Sequence, residues 1–298
     1  MNNEYQQQSI FSDPGSERDL YRDLPTDIPT LCGIVQNLFL HYADGPIFNY
    51  TIPPERYPEM DDRYLAFSLG RMRHVDYPSL TDRRPAKDRV IGICRDMVLL
   101  LCSILRYQGV PARLRSGYVN YFIPDVYLDG LCLEYWHSSQ QRWVLVDVRT
   151  ASPQIEHYHL NIDFDLYDVP RDRFVFAEDA WSWCRSLKIN PVRFGSRYHR
   201  GLWYVRNRLL QSIAFLNRQE MLVWDLWGMM LSDTPEEAYT VPDRQLAILD
   251  ELSEILLAHP DSIASLKNYY QAHPVLQVPR QLLVCNPFLP PISCEVAL

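Results

Sequence analysis

The stretch GICRDMVLLLCSILRYQGVPARLRSGYV (92–119) changes periodicity halfway along its length. Its first half carries apolar residues at helical spacing up to Gly109, which predicts a buried helix over 94–109. Its second half alternates apolar and polar residues, which predicts a strand over 110–123. A buried helix that leads directly into an antiparallel sheet indicates an α+β fold.

The next segment, GLCLEYWHSSQQRWVLVDVRT (130–150), extends that sheet. Two alternating stretches flank the polar turn His137–Arg142, a pattern that predicts a β-hairpin. The predicted core over residues 89–150 is therefore one helix followed by about three antiparallel strands.

The flanking segments predict that residues 1–298 form a single domain with extensive helices around this core. Residues 1–88 predict N-terminal helices and loops, with a polar arm at the start. Residues 165–275 predict a mainly helical part, and the proline-rich residues 276–298 predict an extended tail. Helices are predicted over 27–43, 61–75, 176–187, 201–221, 243–259 and 261–273, and the arm over 1–25.

Composition and charge exclude several classes of partner. The chain has a formal net charge of −8 and no stripe of basic residues, so nucleic acid is not an expected partner. The apolar run MVLLLCSIL (97–105) is far shorter than the roughly 20 residues of a membrane helix, and the polar N-terminus has no signal core. We expect a cytoplasmic protein that acts on a small-molecule substrate without a cofactor or a metal; the oligomeric state stays open.

The seven cysteines predict free thiols. They are odd in number, scattered, and form no CxxC pair. Most, including Cys102, are expected to pack as small buried hydrophobic residues. Cys94 differs because it falls in the first turn of the predicted helix, where backbone N–H groups and the helix dipole lower the pKa of a thiol. Cys94 is therefore the candidate nucleophile.

The order of these elements resembles the transglutaminase-like superfamily, part of the papain-like group of cysteine hydrolases. The resemblance is closest over 89–150, while GLWYVRN (201–207) and LNRQEMLVWDLWG (216–228) resemble a bacterial subgroup. The resemblance implies a transglutaminase-like α+β core and a Cys–His–Asp triad. Cys94 takes the position of the nucleophile, and Asp147 takes that of the aspartate.

The triad histidine is missing from this chain. In the family it opens a His-x-Trp-x-Glu pattern, which here reads GLCLE, so Gly130 replaces the histidine and Cys132 the tryptophan, while Glu134 is kept. In a triad the histidine takes the proton of the nucleophile and returns it to the leaving group. Ordinary hydrolysis or transamidation is therefore not expected from Cys94 and Asp147 alone.

Strand alternation places Gly130, Cys132 and Glu134 on one face, which in the family faces the cysteine. Glycine would leave a void there, and the void is a candidate substrate site. Glu134 and Asp147 are candidates for acid–base work if burial raises the pKa of one of them. Glu134 has a structural alternative, an ion pair with an arginine of the neighbouring strand (Arg113 or Arg115).

Other side chains are weaker candidates for this site. His41, in the first predicted helix, is a candidate to line the cleft and to act as a displaced base. His137, His157 and His159 are alternatives for a displaced base, although the HYH pattern at 157–159 lacks a third ligand for a metal. Tyr118 and Tyr121 are candidate substrate-binding residues, and their spacing puts them on opposite faces of a strand.

Three functions follow from these patterns. The first is a repurposed enzyme that performs acid–base chemistry, such as dehydration, addition or cyclisation, on a polyketide or peptide intermediate of secondary metabolism. The second is a cysteine amidase, peptidase or acyltransferase in which a displaced histidine assists Cys94. The third is a pseudoenzyme that binds a ligand without turnover.

Overall fold

The computed structural model describes residues 3–74, 76–232, 234, 237–259, 261 and 263–298. Val75 and Ser262, which fall in predicted helices, lie outside the described residues. The chain divides into two compact units. The first comprises residues 1–114, 132–169 and 286–289, and the second comprises residues 115–131, 170–285 and 290–298.

Helices and strands alternate in the first half of the chain, and helices dominate the second half. The helices are α1 (Ile28–Leu38), α2 (Leu65–Met72), α3 (Cys94–Tyr107), α4 (Ser152–Tyr158), α5 (Ala177–Arg185), α6 (Leu202–Leu216), α7 (Asp243–Ala258) and α8 (Ile263–Ala272). The strands are β1 (Phe39–His41), β2 (Val90–Gly92), β3 (Ala112–Val119), β4 (Tyr127–His137), β5 (Arg142–Val146), β6 (Phe174–Phe176), β7 (Phe194–Gly195), β8 (Asp225–Leu226), β9 (Gln281–Val284) and β10 (Ile292–Glu295).

Helix α3 is the core of the first unit. Every residue from Arg95 to Arg106 is buried, so the helix is enclosed on all sides and has no solvent-exposed face over this range. The N-terminal arm covers part of it: the Tyr21 hydroxyl donates to Ser103 Oγ at 3.0 Å, and Arg106 donates to Ser12 Oγ at 2.8 Å. Burial of Tyr21 shows that this arm is part of the packed structure.

Two sets of strands belong to the first unit. Strands β1 and β2 pair in parallel, with Phe39 opposite Val90 and His41 opposite Gly92. In the part of the β4–β5 hairpin that belongs to this unit, Leu133 pairs with Val146 in antiparallel register.

The second unit is built on helices around small sheets. Helix α5 packs against α6 and α7. Strand β6 pairs antiparallel with the end of β3, and β7 pairs in parallel with the start of β4. A further sheet has the strand order β10-β9-β8.

The predicted α+β class with a helix packed on an antiparallel sheet is confirmed. Two local predictions differ from the structure. The helix predicted over 27–43 ends at Leu38, because residues 39–41 are buried and pair with β2 as a strand. The proline-rich residues 276–298 include the strands β9 and β10, which the sequence pattern does not predict; β9 pairs with β10 and with β8.

Among the described residues, no helix combines the length and the apolar character needed to cross a membrane.

Candidate active site

The start of α3 holds Cys94 in a fixed position. Gly92 precedes it on β2, and a Cβ there would lie 2.8 Å from the ring of Phe39, so only glycine fits. The Ile93 N–H donates to the Asp96 carboxylate at 2.9 Å, closing the first turn. Arg95 holds the same carboxylate at 3.1 Å. Cys94 itself carries a half-buried thiol at the N-terminus of the helix.

His41 lies beside this turn. It stands opposite Gly92 in the β1–β2 register, and the following N–H, of Tyr42, donates to the Gly92 carbonyl at 3.0 Å. The ring is 8% exposed, and its Nδ1 accepts the N–H of Ala43 at 3.2 Å. The neutral ring therefore carries its proton on Nε2. Burial, together with the positive charge of Arg149, lowers the pKa of His41 to about 3 even though Asp44 opposes the shift.

A buried carboxylate, Asp44, organises the polar groups next to His41. It accepts hydrogen bonds from Arg149 at 2.8 Å, from Gln154 at 3.0 Å and from the Tyr158 hydroxyl at 3.0 Å. Burial alone would raise the pKa of Asp44, but Arg149, His41 and Gln154 lower it overall. Asp44 is therefore ionised in the folded protein at neutral pH.

The Arg149 guanidinium pairs with this carboxylate in the unit that also holds Cys94. Burial opposes its charge, but Asp44 and then Cys94 raise the pKa of Arg149 overall. The charged forms of Arg149 and Cys94 therefore favour each other. A positive charge beside a cysteine stabilises the thiolate form.

Asp147 follows β5 and is buried. Its Oδ1 accepts the backbone N–H groups of Arg149 at 2.9 Å and Thr150 at 3.1 Å. Its own backbone N–H donates to the Leu166 carbonyl at 2.9 Å. The Asp147 carboxylate thus stabilises the turn that carries Arg149.

Glu134 forms the structural ion pair that the sequence offers as an alternative role. Its carboxylate accepts from Arg113 Nε at 2.6 Å, and both side chains are buried. The guanidinium also lies over the ring of Trp143 at 4.1 Å and over that of Tyr5 at 5.3 Å. A carboxylate in such a pair is ionised and held in place.

Cys132 is a fully buried thiol on β4. Burial, followed by the charges of Asp147, Cys94 and Glu134, raises the pKa of Cys132 well above its usual range. Cys132 therefore stays a neutral thiol and borders the charged groups of the site without adding a charge to it.

The structure groups five of the eight predicted site residues in the first unit: Cys94, Cys132, Glu134, Asp147 and His41. Gly130, Tyr118 and Tyr121 belong to the second unit. A Cβ built on Gly130 would lie 3.5 Å from Val119 and 3.9 Å from Phe174, which is ordinary van der Waals contact.

The two tyrosines have different surroundings in the second unit. Tyr118 is fully buried, its ring lies 5.0 Å from that of Phe194, and its hydroxyl has no hydrogen-bond partner among the described residues. Tyr121 follows the end of β3 and is half-buried, with its ring 5.3 Å from that of Phe122.

The three alternative histidines occupy outer positions. His137, at the end of β4, contacts Ser139 within its own turn. His157 and His159 are exposed at the end of α4. Among the described residues there is no group of three or more potential metal ligands.

Sequence reasoning missed Asp44, Arg149, Gln154 and Tyr158. Two spacings carry a weak signal for them. Asp44 follows His41 by three residues, and Arg149 follows Asp147 by two. Their meaning depends on β1 lying beside β2, and the sequence pattern predicts a helix at β1.

The α+β core carries a half-buried cysteine at a helix start and an aspartate at the end of a following hairpin. Residues 70–148 match the sequence model of the transglutaminase-like superfamily. The matched segment contains both Cys94 and Asp147.

One solved structure that resembles the chain is the crystal structure of a putative cysteine protease from Cytophaga hutchinsonii. The two share 12% sequence identity with a TM-score of 0.31, and the match covers 58% of this chain. The chain spans less than half, 44%, of the length of that protein. No curated protein matches the chain significantly.

Proposed function

We propose that this protein is a cysteine-dependent acyl-transfer enzyme, a hydrolase or an acyltransferase, in which the Cys94 thiolate attacks an activated acyl group of a small molecule. The observation that carries this proposal is the half-buried Cys94 thiol at the N-terminus of α3, in the same unit as the buried guanidinium of Arg149. The positive end of the helix dipole and the guanidinium both favour the thiolate.

A thiolate stabilised in this way needs no general base for the first step. The Cys94 sulfur adds to the acyl carbon, the bond from that carbon to the leaving oxygen or sulfur breaks, and the leaving group departs with the electron pair. Water or a second nucleophile then takes the acyl group from the thioester, which returns the thiolate.

The proposal restricts the leaving group. An amine leaves only when it is protonated, which is the second task of a triad histidine. Gly130 cannot do this, and the pKa of His41, about 3, makes its ring a neutral group and a poor proton donor at pH 7. Esters and thioesters release alkoxides and thiolates that need less help, so we expect these substrates and not amides.

The alternative, acid–base dehydration, addition or cyclisation of a secondary metabolite, requires a carboxyl group that exchanges a proton with the substrate. Glu134 is held by Arg113 and Asp147 by two backbone N–H groups. Both carboxylates are already engaged in these contacts, so the contacts support the acyl-transfer chemistry over the acid–base chemistry.

The test uses p-nitrophenyl acetate as the activated ester and p-nitroacetanilide as the matched amide. We expect turnover of the ester only, and an acetyl group on Cys94 when the reaction is quenched with acid and the peptides are examined by mass spectrometry. Cys94→Ala should abolish both signals. Cys285→Ala, which removes another half-buried thiol, should leave both unchanged.

The proposal fails if Cys94→Ala keeps the ester turnover of the parent, or if the acetyl group is found equally on Cys94 and Cys285. Absence of any turnover, with a well-folded protein, would support the pseudoenzyme. Turnover of the anilide would require a proton donor and would redirect the search to His41.

A further inference from the structure

A cavity of about 240 Å³ lies in the first unit, and Asp44 and its hydrogen-bond partner Gln154 are among the residues that line it. Its walls include the apolar side chains of Phe39, Phe48 and Met97, together with His41 and Asp44. Drug-sized ligands occupy pockets of roughly 300–1,000 Å³. The volume and the apolar walls therefore suit a smaller molecule with an apolar body.

Two arginines, Arg83 and Arg89, also line the cavity. Arg89 is half-buried, donates to the backbone carbonyls of Arg84 at 3.1 Å and Gln36 at 3.4 Å, and lies over the ring of Phe48 at 4.6 Å. These acceptors are all neutral. Burial and the like charge of Arg83 lower the pKa of Arg89.

Neither Arg83 nor Arg89 forms an ion pair with any residue that the structure describes. Two neighbouring guanidinium groups of this kind repel each other, and the repulsion is stronger where water is partly excluded. An anion bound beside both groups would relieve it, and the planar fork of an arginine matches a carboxylate.

The cavity is also lined by Gln154, which has an acceptor without a donor among the described residues. Gln154 is 7% exposed and donates through Nε2 to Asp44 at 3.0 Å. The ionised carboxylate of Asp44 can only accept, so the amide must turn its N–H₂ group toward it. The remaining atom, Gln154 Oε1, is buried and accepts no hydrogen bond from the described residues. A buried acceptor left in this state costs free energy until a donor reaches it.

We propose that this cavity binds a small carboxylic acid whose carboxylate pairs with Arg83 and Arg89, whose apolar body lies against Phe39 and Met97, and whose hydroxyl or N–H group donates to Gln154 Oε1. The proposal rests on the function above only in treating this acid as part of the substrate, since His41 and Asp44 belong to both places. A monocarboxylate is favoured over a dianion because Asp44 already places a negative charge in the cavity wall.

The probe is mandelate, which combines a carboxylate, a hydroxyl and a phenyl ring. Mandelamide lacks the charge, phenylacetate lacks the hydroxyl, and inorganic phosphate supplies an anion alone. Dissociation constants are measured by ligand-observed NMR with the full chain. Cys94→Ala is measured beside the parent so that binding is separated from turnover.

Arg83→Glu is the decisive variant because Arg83 is exposed and its loss should not disturb folding. Lys87→Glu, an equally exposed charge reversal in the same segment and outside the cavity wall, is the matched control. We expect Arg83→Glu to weaken mandelate about tenfold or more, because a favourable charge becomes an unfavourable one, and Lys87→Glu to leave it within about twofold. Mandelamide and phenylacetate should both bind more weakly than mandelate.

Equal binding of mandelate by Arg83→Glu and Lys87→Glu overturns the proposal, as does equal binding of mandelate and mandelamide. Phosphate that competes as strongly as mandelate overturns the carboxylate assignment. Binding that survives in Cys94→Ala upholds this inference even if the acyl-transfer function fails. If the parent protein does not bind mandelate, the inference is overturned, but the proposed chemistry of Cys94 is not affected.

Discussion

The Arg149 guanidinium donates a hydrogen bond to the Asp44 carboxylate at 2.8 Å, in a buried pair that also interacts with Cys94 and His41. The pair connects the loop after β1, which carries Asp44, with the turn after β5, which carries Arg149. Burial is the main reason that the His41 ring stays neutral, and the positive charge of Arg149 adds to it. The same charge would favour a thiolate at Cys94.

The first prediction concerns the reactivity of Cys94. In Asp44→Asn/Arg149→Gln, alkylation of Cys94 by iodoacetamide at pH 7 should be about tenfold slower than in Asp44→Asn, because one pKa unit of electrostatic stabilisation corresponds to a tenfold change in thiolate fraction. The rate is measured residue by residue with mass spectrometry.

The double variant is preferred to Arg149→Gln alone, which would leave Asp44 buried without its charged partner at a cost of about 3–5 kcal/mol. Cys102, fully buried in the same helix, serves as the internal reference. If Cys94 in the parent reacts no faster than Cys102, the thiol is not an activated nucleophile and the proposed function loses its support.

The second prediction is a dependence of stability on pH that originates in His41. Its pKa falls from about 6.5 in the unfolded chain to about 3 in the folded protein. The unfolded state therefore binds the extra proton first. Stability is fully present above pH 6.5 and declines as the pH falls toward 3, with a slope of at most about 1.4 kcal/mol per pH unit.

His41→Gln should remove this part of the slope, so that its unfolding free energy falls less steeply than that of the parent between pH 6.5 and 4. Urea titrations at several pH values measure the difference. His157→Gln, at an exposed position, should keep the slope of the parent. Parallel curves for His41→Gln and the parent would mean that His41 is protonated in the folded protein.

The sequence predicts the core of the fold because the hydrophobic periodicity and the turn residues indicate the same helix and strands there. Helix α3 starts at the predicted residue, Cys94, and the turn between β4 and β5 falls within the predicted His137–Arg142. The same approach fails at residues 39–41, where an apolar run continues the pattern of α1. Only pairing with β2 makes that run a strand, and such long-range pairing leaves no local signature.

The residues of the candidate site show the same difference between local and long-range signals. Cys94 and Asp147 are recognisable from the sequence because each follows a local element boundary. Asp44, Arg149 and Gln154 come from three separate segments, and their charges have meaning only once β1 lies beside β2. The family motif marks Gly130 as the position of the missing histidine. The charged groups around Cys94 belong to other segments, which the motif does not include.

The third prediction separates a structural role of Glu134 from a chemical one. Glu134→Gln should destabilise the protein by about 3–5 kcal/mol, because it removes one partner of a buried ion pair. The Arg113→Met/Glu134→Leu double variant should recover most of that loss, since apolar residues of similar size can replace such pairs.

Urea unfolding measures both variants, and alkylation of Cys94 in the folded double variant should match that of the parent. The prediction is contradicted if Glu134→Gln is as stable as the parent but loses turnover of its substrate. That result would favour acid–base chemistry at Glu134.

The last prediction concerns the residue that replaces the triad histidine. Gly130→His should fold, because its Cβ would meet Val119 at 3.5 Å and Phe174 at 3.9 Å, both ordinary contacts, and its φ lies outside the left-handed region that favours glycine. We expect a change in unfolding free energy within about 1 kcal/mol, measured by urea titration.

If acyl transfer depends on Cys94 and Arg149, turnover of p-nitrophenyl acetate should persist in this variant. A folded Gly130→His protein without that activity would instead identify the space at Gly130 as the substrate site, as the acid–base alternative requires. Gly70→His, at an exposed glycine with nothing within 4 Å of its Cβ, controls for adding an imidazole elsewhere.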